Sequence, residues 1–229
     1  MNDPCGAIAA MIDHSLLNPS LTDADLEEGC RLARSLKVAS VCIKPYALGL
    51  CVRIVDGSGV HPGTVIGFPH GSHAIPVKVA EARHALEDGA LELDMVVNIG
   101  KVLSEDWDYV RSEIAAVATE AHARGALLKV IFENCYLTDR HKIRLCEVSG
   151  EAGADFIKTS TGFGPGGATH NDLDLMVRHA PPGVKVKAAG GIRTLDQLLE
   201  VRDLGVARVG ASRTKEILDE CRHRFGGGQ

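Results

Sequence analysis

The sequence has no excess of positive charge. Its 25 lysines and arginines face 30 aspartates and glutamates, a formal charge of −5, so no basic face for nucleic acid is expected. No apolar run approaches the roughly 20 residues that a membrane-spanning helix needs, which argues against helical insertion into a bilayer. The opening "MNDPCGAIAAMIDHS" has no basic segment followed by an apolar one, so no signal peptide is expected. The seven cysteines (5, 30, 42, 51, 135, 146 and 221) are scattered and include no CxxC. Free thiols in a reducing, cytoplasmic setting are expected rather than a disulfide framework. There is no linker and no low-complexity stretch apart from the final "GGGQ". One domain spanning 1–229 is expected, with 226–229 frayed.

What the chain does have is a repeated glycine. Gly63 in "HPGTVIGF", Gly89 in "EDGALELDMVV", Gly125 in "ARGALLKVIF", Gly153 in "EAGADFIKTS", Gly183 in "PPGVKVKAAG" and Gly205 in "DLGVARVGAS" each precede an apolar, strand-like run. Their spacing is that of one strand-plus-helix unit, and a glycine there suits a left-handed helix end. The segments between them carry apolar residues at helical spacing, and "LTDADLEEGCRLARSLK" opens with Thr22 and Asp25 placed as a capping box. Strands are expected near 11–14, 40–44, 64–69, 92–98, 127–133, 156–160, 185–189 and 207–210. Eight strand–helix units predict an α/β fold, a closed (β/α)8 TIM barrel; an open doubly wound sheet is the alternative.

Alternation along each strand sorts helix-facing from barrel-facing side chains. In "ELDMVVN", Leu93, Met95 and Val97 suit the helix layer, which turns Glu92, Asp94, Val96 and Asn98 inward. The same parity turns Lys129, Ile131 and Glu133 inward, then Phe156, Lys158 and Ser160, then Lys185, Lys187 and Ala189. Three neighbouring strands thus send lysines into one interior. Each alone reads as half of a buried ion pair, with Asp94 holding a lysine, Glu133 holding Lys129, and Lys185 in a structural pair one layer down. Together the cations outnumber the anions, and crowded or desolvated ammonium groups lose protons to become nucleophilic amines. Lys158 and Lys187 are followed closely by glycines, which puts them at the C-terminal ends of their strands, where barrel active sites lie.

After strands six, seven and eight come "STGFGPGG", "AGGIRT" and "VGASRTKE". These glycine-bearing loops enter helices and can offer N–H groups and a positive helix end to a phosphate. The candidate contacts are Thr161 and Gly162, then Gly190, Gly191 and Arg193, then Gly210 and Ser212. His70 and His73 in "HGSH" lack an obvious third ligand, so no metal site is expected. Asp13 orients active-site groups or caps a turn, and Cys42 is a small core residue.

The motifs "IDHSLLNP", "VCIKPYAL", "VIGFPHG", "ELDMVVNIG", "LLKVIFE", "GADFIKTSTGF", "VKAAGGIRT" and "RVGAS" stand in order over nearly the whole chain. In them the sequence resembles the deoxyribose-phosphate aldolase family. The resemblance implies reversible cleavage of 2-deoxy-D-ribose 5-phosphate to D-glyceraldehyde 3-phosphate and acetaldehyde, with no metal and no organic cofactor. It implies that Lys158 forms the Schiff base and that Lys187 and Asp94 relay protons. The partners implied are a small sugar phosphate and acetaldehyde, with a homo-oligomer, dimer or tetramer, left open. The chain departs from the family pattern with "DHS" for "DHT", "FENC" for an "ETG"-like segment, and Arg213 after Ser212; its "RFGGGQ" ending has no counterpart to the C-terminal tyrosine of some members. Another Schiff-base aldolase or a transaldolase is the alternative enzyme. A phosphosugar-binding protein without turnover would not need Lys158, Lys187 and Asp94 together, and all three are present.

Overall fold

The eight expected strands exist, and they close on themselves. In the computed structural model, which describes residues 3–226, they are β1 (Ile12–Leu16), β2 (Ser40–Ile43), β3 (His61–Ile66), β4 (Glu92–Val96), β5 (Leu127–Ile131), β6 (Phe156–Lys158), β7 (Lys185–Ala189) and β8 (Arg208–Ala211). Each pairs in parallel with the next, and β8 returns to β1 through Ile12 opposite Val209. Each strand leads into a helix that carries the chain back, and the strict alternation of strand and helix produces the parallel sheet. No helix of the described residues is long and apolar enough to cross a membrane.

The apolar core is the ring between sheet and helices. Leu93, Met95, Leu128, Val130, Ile157, Val186 and Ala188 all face that ring and are buried, which is the outward parity expected from the sequence. Thr22 and Asp25 cap the helix Asp23–Leu36 reciprocally, as their spacing predicts. Gly89, Gly125, Gly153, Gly183 and Gly205 all have positive φ. Gly63 does not belong with them. It lies inside β3, where an added Cβ would stand 2.9 Å from the Glu92 carbonyl oxygen, so close strand approach rather than a helix end selects it. Two short helices, Pro4–Ala9 and Ile99–Leu103, escape the periodicity because neither completes two turns.

The expectation of seven free thiols fails at one pair. Cys5 and Cys221 form a disulfide across 216 residues of sequence, with Cα atoms 5.8 Å apart. Closure of β8 onto β1 brings the two chain ends together, a proximity that spacing could not reveal. The remaining five cysteines are free. Of the tail expected to fray, Gly226 caps the last helix, and 227–229 lie outside the described residues.

His14 faces outward from β1 and its Nδ1 meets Thr214 Oγ1 at 2.7 Å, tying the first strand to the start of the last helix. Burial lowers its pKa from 6.5 to about 4, against a smaller opposing pull from Glu216. The unfolded chain therefore takes up this proton near pH 6.5 while the folded one resists until about pH 4. Stability is full above that window and falls as pH drops through it, by roughly 3 kcal/mol. Urea unfolding at pH 7.5 and 4.5 should show a distinctly smaller loss in His14→Asn than in the unsubstituted protein; equal losses would assign the acid sensitivity to other groups.

Candidate active site

Inside the barrel, parity produces a cluster of seven charged side chains. Asp94 on β4 accepts a hydrogen bond on Oδ2 from Lys158 Nζ at 2.7 Å and from Lys187 Nζ at 2.7 Å. Its Oδ1 accepts from Lys129 Nζ at 2.8 Å. Asp13 on β1 holds Lys129 at 2.9 Å and Lys187 at 2.5 Å through Oδ2, and Arg208 through Oδ1. Glu92 holds Arg208 at 3.0 Å, and its other oxygen lies 2.5 Å from Lys129 Nζ, close enough to pair but outside hydrogen-bond angles. All but Arg208 are at most 4% exposed.

Two pairings differ from expectation. Lys129 does not reach Glu133. Three nearer carboxylates, Asp13, Glu92 and Asp94, surround it instead. Glu133 sits just past the end of β5 with φ 44° and accepts from the Thr161 N–H at 3.2 Å and from the Thr161 hydroxyl, so it braces the loop after β6. Lys185 is exposed at the far mouth with its ammonium 5.7 Å from the Phe156 ring centre, and no carboxylate pairs with it among the described residues. As the first residue of β7 it projects beyond the sealed layer.

The lysines are not equivalent. Lys129 has three carboxylate partners, Lys187 two, and Lys158 only Asp94, on an oxygen it shares with Lys187. Burial disfavours a charge on each of them, and the partners decide the outcome. Burial is outweighed for Lys129 by Asp13, Asp94 and Glu92, which hold its pKa well above the usual lysine value. It is likewise outweighed for Lys187 by Asp13 and Asp94, and its pKa is raised. For Lys158 burial prevails over Asp94, Lys187 adds to the same side, and the pKa falls. Asp94 feels the reverse: burial works against its charge, but Lys129, Lys158 and Lys187 hold it well below the ordinary carboxylate range. Cys42 also lines the site, its thiol pushed up to about 11 chiefly by burial, so it is a packing residue and a poor nucleophile.

Lys158 and Lys187 open into a cavity of about 300 Å³. Its wall includes Thr161 and Gly162, then Gly190, Gly191 and Arg193, then Gly210 and Ser212, so the three glycine-bearing loops converge on one space. Asp94 lies beneath the two lysines rather than on the wall. Gly190 has φ 82°, and a Cβ on neighbouring Gly167 would strike its carbonyl oxygen at 2.4 Å; the loops approach each other at glycines because nothing larger fits. The Arg193 N–H is taken by Gln197 Oε1 at 2.8 Å, which leaves its exposed guanidinium as that residue's contribution. Ser15 from β1 and Leu17 and Asn18 from the loop after it also line the wall, and Phe163 adds an aromatic edge packed at 5.4 Å against Phe68. Inward parity in "MIDHS" could have found Ser15; the others stand on loops, where alternation carries no signal. His70 and His73 are exposed on another loop, and no group of three or more metal-binding side chains occurs among the described residues.

A family model described as DeoC/LacD family aldolase matches residues 7–212. The chain belongs to the DeoC/LacD aldolase family. It is 57% identical to a deoxyribose-phosphate aldolase of Rhodopirellula baltica over 96% of this chain and 91% of that one. It is 47% identical to one of Thermococcus kodakarensis, over 93% of this chain and 96% of the relative. Among solved structures, the tetrameric deoxyribose phosphate aldolase of Aeropyrum pernix superposes with a TM-score of 0.89 at 31% identity, over 96% of this chain and 93% of that one. This aldolase is therefore a carbon–carbon lyase on a (β/α)8 barrel, as its motifs implied.

Proposed function

We propose that this aldolase cleaves 2-deoxy-D-ribose 5-phosphate reversibly to D-glyceraldehyde 3-phosphate and acetaldehyde through an imine on Lys158. The observation that carries the reading is the inequality of the lysines: of the two amines at the wall of the loop-lined cavity, Lys158 has a single carboxylate partner and Lys187 has two. The Lys158 lone pair attacks the aldehyde carbon of the open sugar, and loss of water leaves a protonated imine. The 3-hydroxyl gives up its proton, the C2–C3 bonding pair becomes the C1–C2 double bond of an enamine as the imine π pair moves onto nitrogen, and glyceraldehyde 3-phosphate departs. The enamine takes a proton at C2, and water releases acetaldehyde. The imine nitrogen is the electron sink that spares a free carbanion.

Asp94 and Lys187 move the protons. Lys187 can donate to one side and be held by Asp94 and Asp13 on the other, and both carboxylates keep it charged between transfers. The phosphate lies among Gly190, Gly191, Gly210 and Ser212, with Thr161, Gly162 and Arg193 at the rim.

Cleavage of deoxyribose 5-phosphate, with and without a chelator, tests the reading. Activity indifferent to the chelator is expected, with acetaldehyde as the preferred donor in the reverse direction; dihydroxyacetone or pyruvate as preferred donor would place the chain among other Schiff-base aldolases or transaldolases. Unphosphorylated 2-deoxyribose should show kcat/KM lower by roughly 10²–10⁴-fold, since charge-assisted hydrogen bonds contribute about 1.5–3 kcal/mol each and at least two are lost. Equal kcat/KM for the two sugars would remove the phosphate site.

A further inference from the structure

Lys158, Lys187 and Arg208 stand at one level of the sheet, Lys158 in register with Lys187 and Lys187 with Arg208. Their side chains part company. The two lysines reach the cavity under the loops, whereas Arg208 lines a second cavity of about 340 Å³ at the opposite mouth, beside Asp155, Phe156 and Lys185. Arg208 is absent from the wall where a substrate on Lys158 would sit. Yet it is joined to that lysine by an unbroken series of ion pairs, through Asp13, Lys187 and Asp94.

The sealed interior contains three carboxylates, Asp13, Glu92 and Asp94. Lys129, Lys187 and Arg208 match them one for one, and each of these cations has at least two carboxylate partners. A proton on Lys158 then adds an uncompensated charge in a low-dielectric space, which is costly. We propose that Arg208 is a positioning residue that keeps the Lys158 amine uncharged from the far end of the barrel, by completing the cation count of the interior. Without Arg208, two charged lysines would face three carboxylates. Asp13 would draw Lys187 and Lys129 more strongly, Asp94 would be left short of a cation, and a proton on Lys158 would restore balance.

The groups that face Lys158 are Asp94 from β4, Lys129 from the neighbouring strand β5, Lys187 from β7, and Cys42 and Asp13 across the interior. Those that face Arg208 are Asp13 and Glu92, with the Phe156 ring at 5.7 Å, Lys185 on that same ring, and His61 sharing Glu92 Oε1. The proposal rests on Lys158 being the imine-forming residue. The same logic gives Glu92 the opposite sign, since its removal leaves the interior one anion short.

The experiment is the rate of borohydride-trapped imine formation with acetaldehyde across pH 5–10, read by mass spectrometry at Lys158. Arg208→Met, Arg208→Lys, Glu92→Gln and the Arg208→Met/Glu92→Gln pair are compared with the unsubstituted protein. A charge removed two strand spacings away, roughly 10 Å, in an effective dielectric of about 20, is worth about one pH unit. Arg208→Met should therefore raise the midpoint by about one unit and lower the rate at pH 7 roughly tenfold, with recovery at high pH. Arg208→Lys should keep a midpoint near the original. Glu92→Gln should move it down, and the double variant should return it. His61 is replaced by Asn in a parallel series, because it shares Glu92 Oε1 with Arg208. A midpoint unmoved in Arg208→Met, or moved the same way by Glu92→Gln, overturns the proposal and leaves Arg208 a purely structural residue. If Arg208→Met does not fold, Glu92→Gln decides alone, and absence of a downward shift overturns it. Failure of the unsubstituted protein to trap at Lys158 would strike the imine reading itself, a different outcome from an unmoved midpoint.

Discussion

Borohydride added with acetaldehyde or deoxyribose 5-phosphate should inactivate the protein irreversibly and leave one reduced adduct, on Lys158. Lys158→Ala should form no adduct and lose cleavage by several orders of magnitude, because no other amine combines access to the cavity with so little holding its proton. The loss should be in kcat rather than in folding: without Lys158, Asp94 still has Lys129 and Lys187. Peptide mapping decides between residues. An adduct on Lys187 or Lys129 would reverse the assignment, and near-normal turnover by Lys158→Ala would end the imine mechanism.

The second large effect separates charge from proton transfer at Lys187. Burial is the principal cause of the lowered Lys158 pKa, and Lys187 acts in the same direction. Lys187 is also the cation that Asp13 and Asp94 share. Lys187→Leu takes away both roles at once, so the interior should recruit a proton onto Lys158. The midpoint of imine formation should rise by a unit or more, with a tenfold or greater loss of rate at neutral pH for each unit. Lys187→Arg keeps the charge but supplies a group that does not give up its proton. It should form the imine at close to the normal midpoint and still fail to turn over. The measurement is trapping and steady-state cleavage against pH for both variants. A Leu variant with an unchanged midpoint would mean that desolvation alone makes Lys158 reactive.

The barrel and its inward lysines were legible because both depend on local patterns. Alternation in "ELDMVVN" and "VKVKAAGG" sorts Asp94 and Lys187 inward without knowledge of any neighbour, and glycine loops mark the end of the barrel where they open. What was not legible depends on who meets whom. Glu133 has the right parity to pair with Lys129, but the backbone turns left-handed just past the end of β5 and delivers its carboxylate to Thr161. Lys185 also has the right parity, yet as the first residue of β7 it lies outside the sealed layer. Arg208 is the reverse case. It stood in the quoted "RVGAS", but its significance lies in Asp13 and Glu92, which are 195 and 116 residues away in sequence. Long-range electrostatic partnership leaves no mark on periodicity.

The bond between Cys5 and Cys221 turns the backbone into a ring. All eight strands lie on the arc between the two sulfurs. A protease that cuts any single loop on that arc therefore opens the ring without dividing the molecule, and neither piece can diffuse away. The nicked protein is a permuted chain, with new ends at the cut and the old ends joined through sulfur. Because β8 already lies beside β1, the order of neighbours around the barrel is the same wherever the ring is opened.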